Sequence, residues 1–161
     1  MEFTSHIIEQ LISCPKRIVK PPSKNMRQYR GHMKNNFEVE SEDGAYRFFV
    51  FIRYNEIFFE NFSIGLNYNP REEKGSLLLY RCNGPHGGTR QWDHHDRPHI
   101  HTAKAEALNQ KLNSETKIEP TTHYASWQDA LQFFLKRTHI KDAHLYFPPP
   151  RAQGELFNDE K

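Results

Sequence analysis

The stretch FSIGLNYNPREEKGSLLLYRC, residues 62–82, decides the fold class that this sequence predicts. Its first part alternates with a period of two, which is typical of an extended strand with two different faces. NPREEKG is a polar turn and SLLLYRC is a second strand, so we expect an antiparallel hairpin centred near Glu72. The first strand has one bulky face and one small or polar face: Phe62, Ile64, Leu66 and Tyr68 against Ser63, Gly65 and Asn67.

The small face of this hairpin suggests a working surface. A turn centred at Glu72 places Arg81 on that face, opposite Ser63. The bulky faces then meet in three expected pairs: Phe62–Cys82, Ile64–Tyr80 and Leu66–Leu78. Because the small face has little side-chain volume on its first strand, it leaves room for a helix or a ligand.

The same patterns, followed outward from the hairpin, predict three more strands and three helices. HMKNNFEVE and YRFFVFIRY flank a turn at SEDG (41–44), and PHIHT makes a short last strand. TSHIIEQLISC, KAEALNQKLN and SWQDALQFFLKRTHI have apolar residues at helical spacing, the last with Ser126 as its N-cap. We therefore expect an α+β fold, an antiparallel sheet of four or five strands with flanking helices packed on one face.

Length and composition indicate one ordinary globular domain. The 161 residues divide into a single α+β domain at 1–145, with a basic N-terminal arm at 15–34, and a mobile tail at 146–161. A mean hydropathy of −0.87 argues against a membrane span. The first residues do not have the pattern of a signal peptide, and the two cysteines form no CxxC pair, so a reduced, cytoplasmic protein is expected.

The charge of the chain is unevenly distributed. Residues 1–36 hold seven lysines and arginines against two acids, a net charge of +5, whereas the remainder holds 15 basic and 18 acidic residues, a net charge of −3. Such asymmetry indicates nucleic acid or another polyanion as a partner, although a merely solvated segment has the same composition. The residues expected to bind a nucleic acid or a protein partner lie in the arm and in the loop after Cys82: Lys16, Arg17, Lys20, Lys24, Arg27, Arg30, Arg90, Trp92 and Arg97.

Several motifs occur together and in a fixed order: PKRIV, ESEDGAYRFF, LLLYRCNGPHG, RPHIHT and DALQFFLKRTHI. In this the chain resembles a family of small bacterial proteins of unknown function with an ESxDG-type hairpin, an NGP(P)H turn and a closing PHxH. The resemblance covers residues 14–140 and implies no activity. The AKAEALNQKLN segment departs from the family pattern, which continues there into an aromatic and acidic segment. The positions that match the motif are Asn83, Gly84, Pro85, His86, Pro98, His99 and His101.

Five of the ten histidines fall within NGPHGGTRQWDHHDRPHIHTA, residues 83–103, and a metal site is the first interpretation. His99 and His101 share one face of a strand, where two imidazoles can reach a single ion such as zinc. His86, Asp93 or Asp96 would complete the site, but none lies at a diagnostic spacing. Binding of a divalent metal such as zinc is therefore an alternative interpretation, but not the favoured one.

Acid–base chemistry is the second interpretation of the same residues. Imidazole titrates near working pH, so two histidines can act as base and acid in metal-independent RNA cleavage. A cation must also stabilise the charge on the phosphate, a role that Arg81 can fill. The candidate catalytic residues are His86, His99, His101 and Arg81.

Binding without chemistry is the third interpretation, and the one we favour from sequence. Arginines, histidines and Trp92 beside a basic arm containing Tyr29 suit phosphate contacts and base stacking, and Trp92 also suits a protein interface. His94 and His95 are expected to be solvated. We expect a small protein of a bacterium or a mobile element that binds nucleic acid or a protein partner, in a toxin–antitoxin or phage-conflict setting. The alternative is a small histidine-dependent hydrolase such as a ribonuclease, metal-independent or metal-dependent.

Overall fold

The computed structural model describes residues 1–86, 96–112 and 115–149, which form an α+β fold built on one antiparallel sheet. Within these residues the sheet has eight strands in the order β1-β3-β4-β5-β6-β7-β8, and β2 also pairs with β3. The strands are β1 (Lys16–Lys20), β2 (Arg27–Tyr29), β3 (His32–Ser41), β4 (Arg47–Asn55), β5 (Phe62–Asn69), β6 (Leu77–Asn83), β7 (His99–Ala103) and β8 (Thr116–Pro120). The helices are α1 (Ser5–Ser13), α2 (Ala105–Asn109), α3 (Trp127–Arg137) and a 3-10 turn at Ala143–Leu145.

The predicted α+β class is confirmed, but the sheet is larger than the four or five strands expected. Two of the additional strands, β1 and β2, come from the basic arm, which the sequence presented as an irregular segment interrupted by proline. The prolines fall outside the paired residues, at Pro15 and at Pro21–Pro22, so they bound β1 rather than break it. Charged residues on β1 also suit its position at the edge of the sheet. The third additional strand, β8, pairs with β7.

The central hairpin forms as expected, with one correction to its register. Ile64 pairs with Cys82 and Gly65 with Arg81, which is two residues away from the expected alignment. A shift of two residues keeps each side chain on its face, so the division into a bulky and a small face survives. Leu79 is bulged out of the ladder and buried, which completes the register change.

Two helices cover one face of the sheet, which we call the helix face. The Thr4 and Ser126 hydroxyls cap α1 and α3 by accepting hydrogen bonds from the backbone N–H groups of Ile7 and Asp129. Ring contacts place the N-terminal segment and α3 on this face: Phe3 lies against Tyr68, and Phe134 of α3 lies against Tyr80. The core of the helix face is made by alternate residues of the central strands, namely Phe37, Val39, Phe48, Val50, Ile52, Phe62, Ile64, Leu66 and Cys82.

The opposite side of the sheet, which we call the second face, carries the alternate residues of the same strands. The two longest helices do not cover it, since both pack on the helix face. The side chains of the second face therefore form the candidate site.

The chain packs beyond residue 145, where the mobile tail was expected to begin. The Phe147 ring lies 5.6 Å from that of Phe37, and the Gln132 side chain donates a hydrogen bond to the Phe147 carbonyl. Residues 150–161 of the expected tail lie outside the described residues. Among the described helices, none is long and apolar enough to cross a membrane.

Candidate nucleic-acid interface and histidine row

A row of three cations crosses the second face. Arg27 on β2 pairs with Lys34 on β3, and Lys34 pairs with Arg53 on β4. Directly paired residues of neighbouring strands project from the same face, so the three charges lie side by side. None of the ion pairs between described residues involves any of these three cations. Like charges in direct opposition are destabilising unless an anion joins them.

A fourth cation, Arg81, approaches the row across the small face of β5. Burial and, next, the nearby Arg53 charge lower the pKa of Arg81 from its usual value, although a guanidinium stays charged at any ordinary pH. The Nε of Arg81 is buried and has no hydrogen-bond partner among the described residues. Arg53 and Arg81 therefore project from one face on either side of β5, and neither forms an ion pair with a carboxylate among the described residues.

Phe51 fills part of the space expected to be vacant above β5. A Cβ atom at Gly65 would lie 2.3 Å from two atoms of the Phe51 ring, so the ring rests directly over this glycine. The small face thus accepts an aromatic ring from β4 at Gly65. Phe51 itself stays half-buried, with Asn36 of β3 as its other cross-strand neighbour.

The three motif histidines meet in one row. The ring centroids of His86 and His99 are 5.2 Å apart, and those of His99 and His101 are 5.0 Å apart, both in edge contact. His99 is fully buried, and its Nδ1 donates a hydrogen bond to the Arg97 carbonyl at 2.9 Å. His101 is nearly buried, and its Nδ1 lies 2.8 Å from the Thr116 hydroxyl of β8. His101 pairs directly with Arg81, so the row begins beside the arginine pair.

The backbone that carries these histidines is pinned from the helix face. The Tyr124 hydroxyl lies 2.9 Å from the carbonyl oxygens of both Asn83 and His99, which are paired residues of β6 and β7. On the second face the Ser63 hydroxyl donates to the Asn83 side chain at 3.0 Å. The row is therefore held by strands and buried hydrogen bonds, which is the support that a precise site requires.

A cavity of about 360 Å³ opens beside Arg81 and His101. Lys104 and Glu115 bring one further charge of each sign to it, and the remaining lining residues are Leu78, Thr116 and Ile118. A larger cavity of about 710 Å³ lies on the helix face between α3 and the segment that follows β1, and none of the histidines lines it. Arg81 and His101 are therefore the members of the site that line the smaller cavity.

Lys16, predicted to bind a nucleic acid or a protein partner, is buried and does not contribute to a binding surface. Its side chain is fully buried, and its ammonium donates hydrogen bonds of 2.7, 2.9 and 2.9 Å to the carbonyls of Ile12, Cys14 and Thr138. These carbonyls lie at the C-terminal ends of α1 and α3, where a cation is favoured. Lys16 is a structural residue, because no phosphate can reach it.

The other predicted cations of the arm are exposed but divide between separate places. Arg17 pairs with Glu40 at 3.6 Å, Lys20 lies at the end of β1, and Lys24 lines the larger cavity. Arg27 belongs to the cation row. Arg30 sits in the turn between β2 and β3, where Arg30 and Gly31 both have positive φ.

Tyr29 brings an exposed aromatic ring into the cation row. Lys34 Nζ lies 4.9 Å from the centroid of this ring and Arg30 Cζ lies 5.3 Å from it, both in cation–π range. The Tyr29 side chain is 53% exposed, so the ring is available to a ligand. The hairpin of the arm and the second face are thus one continuous surface.

The predicted residues of the loop are only partly placed. Arg97 is exposed and pairs with Asp96 at 3.3 Å. Arg90, Trp92, Asp93, His94 and His95 lie outside the described residues. Within the described residues, no group of three or more histidine, cysteine, aspartate or glutamate side chains is arranged to hold a metal ion.

Sequence reasoning missed Lys34, Arg53 and Phe51 as members of the site. The signal was present in RFFVFIR, residues 47–53, where Arg47, Phe49, Phe51 and Arg53 alternate on one face. Phe48, Phe49, Val50, Phe51 and Ile52 make the middle of this strand apolar on both faces, which hides the alternation. No family model, curated protein or solved structure matches the chain, so the site is interpreted from its own geometry.

Proposed function

We propose that this protein binds nucleic acid through the second face of its sheet. The observation that carries the proposal is that Arg53 and Arg81 project from the same face on either side of β5, with no ion pair to a carboxylate among the described residues. Phosphate oxygens would offset the repulsion between these two charges, because Arg53 is exposed and Arg81 is only half-buried.

The surrounding charges extend this pair into a track for a polyanion. Arg27 and Lys34 continue it toward β2, and Arg30 adds a further cation at the hairpin turn. Toward the other end of β3 the face becomes acidic, because Glu38 and Glu40 pair with Phe49 and Arg47. The basic part is therefore confined to the half of the face nearest the β2–β3 turn and the histidines.

The test is a binding titration with labelled RNA and DNA oligonucleotides at about 50 and 200 mM salt. We expect affinity to fall steeply with salt, and Arg53→Gln or Arg81→Gln to weaken binding about tenfold and to reduce the salt slope by about one. Lys136→Gln removes an exposed charge from α3 and should change neither quantity. Binding that is absent, or insensitive to salt, would exclude nucleic acid and leave a protein partner.

A histidine-dependent hydrolase is the second candidate, supported by the contact of His86, His99 and His101 beside Arg81. His86 is half-buried and His101 lines the cavity beside Arg81, so these two histidines would transfer protons to and from the substrate. One imidazole would take the proton of a ribose 2′-hydroxyl while the other protonates the leaving oxygen, and Arg81 would stabilise the phosphate charge.

RNA cleavage in the presence of a chelator tests this second candidate. We expect a cleaved RNA strand, an intact DNA strand of the same sequence, and a rate reduced about 100-fold or more in His101→Gln. An RNA that stays intact at high protein concentration would exclude it, and the binding proposal would be unaffected.

A further inference from the structure

The second face places aromatic rings on both sides of its cation row. Tyr29 lies on β2 two residues beyond Arg27, and Phe51 lies on β4 two residues before Arg53. Side chains two residues apart on a strand share a face and are separated by about 7 Å. The cations are therefore bordered by an aromatic ring at either side of the row.

Two phenylalanine rings of β4 lie on the face of the sheet that the long helices leave uncovered. The two longest helices pack on the helix face, yet Phe51 and Phe49 project from the second face and are only half-buried. Two atoms of the Phe51 ring would lie 2.3 Å from a Cβ at Gly65, so the ring is seated in the space that this glycine leaves. An aromatic ring fixed in this way loses little conformational freedom when a flat partner stacks on it.

From this arrangement we propose that the ligand is single-stranded nucleic acid, with its phosphates along Lys34, Arg53 and Arg81 and unpaired bases stacked on Tyr29 and Phe51. This inference rests on the nucleic-acid binding proposed above. Stacking needs bases whose faces are exposed, and every base has such a face, so the recognition is tolerant of sequence. The charge complementarity comes from the cation row, which lacks carboxylate partners among the described residues.

The geometry also disfavours a duplex as the ligand. A two-stranded ribbon can enter the major groove of DNA only if it stands free of the rest of the sheet. Here β3 pairs with β4 along its whole length, from His32↔Asn55 onward, so the β2–β3 hairpin is not free-standing. The cations and rings lie on a broad sheet surface, which suits an extended strand.

The experiment compares a labelled single strand, its duplex and an abasic strand of equal length by fluorescence anisotropy at about 50 and 200 mM salt. We expect the wild-type protein to bind the single strand about tenfold or more tightly than either of the other two. Tyr29→Leu and Phe51→Leu keep an apolar side chain but remove the ring, and each should weaken single-strand binding about tenfold while leaving abasic binding and the salt slope unchanged. Tyr146→Leu removes a tyrosine that is 45% exposed and lines the larger cavity, and it should have no effect.

The outcomes separate the two proposals. If no probe binds, the proposed function fails and this inference fails with it. If the probes bind with salt-dependent affinity but the duplex binds as well as the single strand, or the two leucine variants match the wild type, the stacking inference is overturned and nucleic-acid binding stands.

Discussion

Lys16 shows at the residue scale how a composition signal can mislead. A lysine in a basic arm is normally a solvated or phosphate-binding group, and here it is a fully buried cation that joins the ends of α1 and α3. Its Nζ also lies 4.9 Å from the centroid of the Phe48 ring. Two of its three acceptors, Ile12 and Cys14, are close in the chain, but the third, Thr138, is 122 residues away. Sequence could not reveal this role, because burial of Lys16 depends on that distant segment.

We expect Lys16→Met to lower the free energy of unfolding at pH 7 by about 1–3 kcal/mol, because three carbonyls lose their donor. Burial lowers the pKa of Lys16 from 10.5 to about 8. Between these values the unfolded chain binds a proton that the folded chain has released, so stability due to this group rises with pH.

The difference in unfolding free energy between wild type and Lys16→Met should therefore grow by up to about 3 kcal/mol from pH 8 to pH 10.5, as measured by urea denaturation. Burial raises the pKa of Cys82 to about 12, and this group cancels because it is the same in both proteins. Burial raises the pKa of Cys14 and the Lys16 charge counteracts this, so both proteins carry Cys14→Ser. A difference that stays flat over this range would mean that the hydrogen bonds hold the Lys16 pKa near its usual value.

The sequence predicts that Gly65 lies on the small face of β5, but it does not predict which side chain packs against Gly65. Alternation in β5 predicted a small face at this position, and the structure has Gly65 there. That the Phe51 ring fills the space depends on the β4–β5 register, which joins two segments separated by a loop.

Gly65→Ala should destabilise the protein by about 1–3 kcal/mol, because the new Cβ would lie 2.3 Å from the Phe51 ring. In a Phe51→Ala background the same substitution should cost little, since the obstructing ring is gone. A double-mutant cycle by thermal or urea unfolding measures this coupling. Equal costs in the two backgrounds would contradict the close contact.

At the element scale, β6 and β7 act as a rigid frame for the histidine row. The two strands place Arg81 directly opposite His101, beside His99, and the Tyr124 hydroxyl bonds to the backbones of both strands. Sequence placed His99 and His101 on one face of a strand, which is how β7 forms. It could not place His86 beside them, because no local pattern relates a residue that follows β6 to the face of β7.

We expect Tyr124→Phe to lower the free energy of unfolding by about 1–2 kcal/mol, because the substitution removes a buried hydroxyl that donates to strand carbonyls. Tyr29→Phe is the matched control, since the same atom is removed from an exposed side chain. Denaturant unfolding of both variants tests the comparison. If the two variants are equally stable, Tyr124 does not tie the strands together.

At the scale of the whole molecule, the N-terminal segment is part of the fold and not an appended arm. Ile8, Leu11 and Ile12 of α1 belong to the core, and β1 pairs with β3 over most of its length. The excess of positive charge in this segment is real, but the segment is not a separate arm, because its strand β1 forms one edge of the sheet.

Deletion of residues 1–20 should therefore abolish cooperative unfolding, because it removes a core helix and an edge strand together. Deletion of residues 1–2, both exposed, should leave the melting transition near its wild-type value. Circular dichroism melts of the two truncations provide the measurement. A cooperative transition in the longer deletion would show that the arm is dispensable for folding.

The sequence by itself determined what depends on local pattern: the two-residue period of the central strands, the capped helices, the bulky and small faces of the hairpin, and the shared face of His99 and His101. Only the tertiary structure decided that Lys16 is buried, that β1, β2 and β8 join the sheet, and that Arg53 and Arg81 share one face on either side of β5. The physical reason is that side-chain periodicity is set within one strand or helix, whereas the pairing of strands distant in sequence depends on the packing of the whole chain.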